Sequence, residues 1–185
     1  MLFNILRPLI FLLALNQMAS AEPLVVSSKK FTENYIVAEI FSQLLENEGY
    51  EVERRFGMGG TMVAYNALKA GEVDVYPDYS GTLSIAVLQS GERNFDKINE
   101  QLKQQGLKML KPLGFDNSYA VVMKRAASQE LKISKLSDLK NFPELRGAFS
   151  FEFQERSDGW PSMQRVYGLT NPVQGIEIPL TYEAL

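Results

Sequence analysis

From Leu24 onward the chain alternates short apolar runs with stretches of helical period, and glycines punctuate the joins. This alternation constrains the fold more than any other feature. Strands separated by helices run in the same direction, so the sequence predicts an α/β architecture with a largely parallel sheet. Leu24-Val25-Val26 reads as the first strand. Ile36, Ile40, Phe41, Leu44 and Leu45 recur at helical spacing, with Thr32 as a candidate cap and Gly49 as a left-handed stop. Residues 50–56 read as a second strand and Gly57-Met-Gly-Gly60 as a tight loop. Thr61 opens a helix that Gly71 ends. A third strand is expected over 73–76, closed by Pro77, then helices over 83–88 and 95–105. Residues 119–123 form the strongest later strand, 131–139 a helix or turn, and 147–151 a further strand. Asp158-Gly-Trp-Pro161 opens a helix that stops at Gly168.

The segment before Leu24 has a different character. Arg7 is its only charge, the apolar run Pro8 to Leu15 follows, and Ala19-Ser-Ala21 is a small-x-small pattern. Residues 1–21 therefore read as an export signal cleaved after Ala21, since eight apolar residues fall far short of the ~20 that span a bilayer. No cysteine lies near that point to carry a lipid anchor, so the expected location is a periplasm.

Composition then narrows the chemistry. Among 185 residues there is no cysteine and no histidine. This excludes a disulfide, a thiolate nucleophile, a Cys/His zinc site and a Ser-His-Asp triad. The net charge of −3, from 19 basic and 22 acidic residues, gives no basic surplus for a phosphate backbone, so nucleic acid is not an expected partner. A binding protein with no cofactor, no metal and no catalytic residue fits these absences better than an enzyme does. The enzymatic alternative rests on Asp74 or Asp78 as acid or base, with no nucleophile arranged beside them.

Four segments carry polar or aromatic clusters. Gly57-Met-Gly59-Gly60-Thr61 can turn backbone N–H groups toward an anion at a helix start, but it lacks the third glycine of the dinucleotide fingerprint and reads as a tight turn. Gly71 to Thr82 ends a strand in a loop of aromatics, carboxylates and hydroxyls, where α/β sheets bind ligands. Asp74 and Asp78 there are a carboxylate pair, part of a cation site, or caps. Tyrosines at a strand end can wall an organic cation or simply pack in the core. Tyr119 starts the strand that crosses into a second unit. In the loop 152–161, Arg156 can hold a carboxylate at two points or pair with Glu155 or Asp158.

Ser28-Lys-Lys-Phe-Thr-Glu33, Gly57-Met-Gly-Gly-Thr61, Gly71 through Thr82, Asn117-Ser-Tyr-Ala120 and Glu155-Arg-Ser-Asp-Gly-Trp-Pro161 with Tyr167-Gly168 together resemble the substrate-binding proteins of osmoprotectant ABC importers, the glycine betaine/carnitine/choline-binding family. The resemblance implies a two-lobe receptor of the type II periplasmic-binding-protein class that closes on a small quaternary-ammonium or zwitterionic solute and passes it to a membrane permease. By similarity Tyr79 and Tyr119 are walls of an aromatic cage, and Lys29 and Thr82 line the pocket. Lys29 suits a carboxylate, which favours betaine or carnitine over choline. The expected division is lobe I over 22–123 and part of lobe II over 124–185. Family chains continue past this point and return to the first lobe, so the second lobe and the return are expected to be incomplete, and a non-functional remnant of a receptor is the alternative.

Overall fold

A computed structural model describes residues 22–185; the expected export signal lies outside the described residues. Strand β1 (Leu24–Ser27) and strand β2 (Val52–Arg55) pair in parallel, from Leu24 opposite Val52 to Ser27 opposite Arg55. Helix α1 (Thr32–Asn47) makes the crossover between them. Its end is a Schellman turn: Gly49, at φ +89°, donates its N–H to the Glu46 carbonyl at 3.0 Å, and the Tyr50 N–H reaches the Leu45 carbonyl at 3.1 Å. Its start differs from expectation. Phe31 is the N-cap and Thr32 the first helical residue, with the Asn34 and Tyr35 N–H groups closing on the Phe31 carbonyl.

Periodicity identifies α1 as a helix but not which face it buries. Asn34, Ala38 and Ser42 are buried, whereas Ile36, Ile40 and Leu44 stay exposed. Small residues on the buried face let the helix backbone lie close to the sheet, and the Ser42 hydroxyl satisfies itself on the Ala38 carbonyl at 2.9 Å.

Helix α2 (Thr61–Ala70) follows, closed by Gly71 at φ +75°. The expected third strand shrinks to a single bridge between Val26 and Val75. The Asp74 carboxylate takes the Val25 N–H at 2.7 Å, and Pro77 has no N–H to give, so the ladder cannot extend. Short helix α3 (Ser80–Thr82) runs on as a π-helical turn, Leu83–Val87. Helix α4 (Phe95–Lys103) is capped by the Asn94 side chain, which accepts the Lys97 N–H. Tyr65, Leu83, Ile98 and Leu102 gather from these helices into one core cluster.

Residues 119–123 are not a strand. They carry no regular secondary structure and pair with no strand among the described residues, and Val121 and Val122 are exposed. Helix α5 (Arg125–Leu131) and a 3₁₀ turn (Leu136–Asn141) lead to β3 (Gly147–Phe149). Next comes α6 (Phe151–Glu155), which occupies part of the segment expected to be a loop, with the Ser150 hydroxyl accepting the Phe153 N–H. Helix α7 (Trp160–Tyr167) has Pro161 in its first turn and ends at Gly168, φ +66°. Strand β4 (Val173–Gly175) then pairs in parallel with β3. Phe153, Trp160 and Leu169 form the second core cluster. The parallel expectation holds, as two separate two-stranded sheets. No helix of the described residues is long and apolar enough to cross a membrane.

Candidate functional site

A cavity of about 890 Å³ is lined by residues of both halves, Lys29, Tyr79, Thr82 and Tyr119 among them. Lys29 sits just past β1, where the chain turns into α1. Its ammonium is buried, and burying a charge is tolerable only with a partner. Asp78 supplies one: Nζ lies 2.5 Å from Oδ1, with the two side chains 1% and 5% exposed. The rings of Phe31 and Tyr79 lie 5.5 and 5.6 Å from the ammonium. The same Asp78 oxygen accepts the Tyr79 N–H at 2.8 Å, so one carboxylate fixes both the lysine and the backbone of the tyrosine.

Tyr79 is the N-cap of α3. Its hydroxyl donates to Glu33 at 3.1 Å and accepts from the Asn117 amide at 3.2 Å, and its ring meets Phe115 edge-on at 6.0 Å. Burial pushes the Tyr79 hydroxyl up to about 12; the Asn117 hydrogen bond opposes the shift and the Glu33 charge adds to it. Tyr119 comes from the irregular segment 119–123. Its ring packs at 4.7 Å on Phe153, with the Arg156 guanidinium 6.0 Å over it. Desolvation against these neighbours, helped by the Glu152 charge, raises its hydroxyl to about 12 as well.

Of its two options, Arg156 takes the pairing with Asp158. It ends α6 and forks onto Asp158, Nε to Oδ1 at 2.9 Å and Nη2 to Oδ2 at 2.8 Å. Its Nη1 reaches the Thr82 hydroxyl at 3.4 Å and lies 3.6 Å from the Glu152 carboxylate. Burial works to lower its pKa, but the Asp158 carboxylate outweighs this and the net direction is up. Sequence reasoning named Arg156 without placing it in the site, and passed over Glu33 and Glu152, which also line the cavity. Arg156 and Glu152 belong to a stretch dense in charge around the only tryptophan, which was the available signal. Asp74 and Asp78 act as hydrogen-bond acceptors for backbone N–H groups, and Asp78 as an ion-pair partner.

The site offers recognition chemistry: aromatic faces beside cations, a hydroxyl, and a guanidinium whose Nη1 edge lies between Thr82 and Glu152. Comparisons with known proteins agree. Residues 22–184 match the family described as the substrate binding domain of ABC-type glycine betaine transport system. A glycine-betaine-binding protein of Pseudomonas aeruginosa is 31% identical over 91% of this chain and 60% of its own length. An ergothioneine transport permease/ergothioneine binding protein of Helicobacter pylori is 33% identical over 90% of this chain and 31% of its own length. Apo YehZ from Escherichia coli superposes with a TM-score of 0.54 at 24% identity, covering 89% of this chain and 65% of that one. That likeness gives the type II periplasmic-binding-protein fold. The chain spans about 60% of the length of the first of these relatives.

Proposed function

Because the chain belongs to the family of substrate-binding domains of ABC-type glycine betaine transport systems, a family of transport receptors rather than enzymes, we propose that it binds a small quaternary-ammonium zwitterion such as glycine betaine or carnitine for delivery to a membrane permease. The observation that carries this reading is the convergence of Tyr79, Thr82, Tyr119 and Arg156 on one cavity. N-methyl groups donate no strong hydrogen bonds and favour π-faces, so the ammonium is held by Tyr79 and Tyr119. The carboxylate is held by the Thr82 hydroxyl and the Nη1 edge of Arg156. Lys29 also lines the cavity, with Asp78 keeping its charge fixed and largely neutralised.

In this reading residues 22–123 form one lobe and 124–185 part of the other, with the cavity between them. Residues 1–21 direct export to the periplasm and are removed after Ala21, which the mass of the exported protein tests. Binding is tested by calorimetric titration of the purified chain with glycine betaine, carnitine, choline and proline betaine. Saturable one-to-one heat with a zwitterion supports the reading. Silence from all four, in a sample whose circular dichroism shows it folded, overturns it.

A further inference from the structure

The glycine-rich loop before α2 has the form of an anion site, and an anion is present on it: the carboxylate of Glu152, from α6. Its Oε1 accepts a hydrogen bond from the Thr61 hydroxyl at 2.5 Å. Its Oε2 is buried, has no hydrogen-bond partner among the described residues, and lies 3.1 Å from where a Cβ on Gly60 would stand. Gly60 is the N-cap of α2 and offers no side chain to the first N–H groups of the helix. The negative charge thus rests at the positive end of a ten-residue helix, with glycine permitting the close approach.

One turn further along, Arg156 leans 3.6 Å from the same carboxylate and extends to Thr82 and over Tyr119. Glu152 and Arg156 therefore reach across from the β3–β4 half to α2 and α3 of the β1–β2 half. We propose that Glu152 is a positioning residue, a latch on the N-terminus of α2 that holds the two halves closed and thereby sets Arg156 in the ligand site. The ligand-capture part rests on the function proposed above; the latch itself does not.

The test uses the full chain, whose lack of cysteine lets Lys69→Cys in α2 and Gln164→Cys in α7 carry a fluorophore pair at two exposed positions. Energy transfer then reads the separation of the halves, and titration with glycine betaine reads affinity. Glu152→Gln and Thr61→Val are expected to widen the separation without ligand and to weaken glycine betaine about tenfold. Thr61→Ser, which keeps the hydroxyl, is expected to match the parent. If Glu152→Gln fails to fold, the Thr61→Val and Thr61→Ser pair decides alone. Unchanged separation in Glu152→Gln and Thr61→Val, or Thr61→Ser behaving like Thr61→Val, overturns the latch. A widened separation in a chain that binds no solute upholds the latch and removes the receptor function.

Discussion

Lys29 and Asp78 stand 49 residues apart in the chain and 2.5 Å apart in space, both almost wholly enclosed. The pair ties the turn after β1 to the loop that carries Tyr79, so the first sheet and the Tyr79 ring are positioned by one contact. Removing either partner leaves a buried charge with no counterion. Asp78→Asn or Lys29→Met is expected to cost about 3–5 kcal/mol, measured by urea unfolding. The double variant Lys29→Met/Asp78→Leu is expected to recover much of that loss, because no charge then remains buried. Full additivity of the two single losses would show that the residues do not act as a pair.

The two tyrosines are expected to contribute separately to ligand affinity. Tyr79→Ala and Tyr119→Ala each weaken a quaternary-ammonium ligand by about 0.5–2 kcal/mol, roughly two- to thirtyfold in Kd. Tyr79→Phe keeps the ring and loses only its contacts to Glu33 and Asn117, so it stays near the parent. Calorimetric titration reads each of them. A Tyr79→Phe loss as large as that of Tyr79→Ala would assign the effect to the hydroxyl instead of the ring.

Alkaline pH acts on the same residues. The hydroxyls of Tyr79 and Tyr119 titrate at about 12 in the folded chain, against an ordinary value of 10.0. The folded state therefore holds these protons more tightly than the unfolded state. Their contribution to stability is complete below pH 10 and is lost as the pH rises from 10 through 12. Denaturant midpoints should fall across that window, and the double variant Tyr79→Phe/Tyr119→Phe should fall less. Phenolate absorbance in the native protein gives the pKa values directly.

In the core of the β1–β2 half, Ile98 and Leu102 are 1% and 3% exposed on one face of α4. Leu102→Ala is expected to cost about 2–5 kcal/mol and Ile98→Val about 0.5–1.5 kcal/mol, both read from urea midpoints at unchanged slope. A loss under 0.5 kcal/mol for Leu102→Ala would mean that the cluster with Tyr65 and Leu83 is not packed as described.

Much of the local structure was legible because it is punctuated by chemistry that acts over a few residues. Gly49, Gly71 and Gly168 each adopt a positive φ just where a helix ends. What was not legible depends on partners far along the chain. Residues 119–123 have the composition of a strand, but strand formation needs a neighbouring ladder, and composition does not supply one. Strand β4 is three residues after Pro172, too short to show alternation. The exposed stripe Ile36, Ile40 and Leu44 shows that a helical period fixes spacing without choosing the buried face. The resemblance named Lys29, Tyr79, Thr82 and Tyr119, and all four line one cavity. The neutralising role of Asp78, and the reach of Arg156 to Thr82 across 74 residues of sequence, are tertiary facts.

The most direct test of the proposed site compares the parent chain with Arg156→Met in titrations against glycine betaine and choline. The two ligands share the trimethylammonium group and differ in the carboxylate that Arg156 is assigned to hold. The parent should bind glycine betaine, and Arg156→Met should weaken it roughly ten- to a hundredfold while leaving choline within a few fold. Equal affinity of the parent and Arg156→Met for glycine betaine would contradict the assignment.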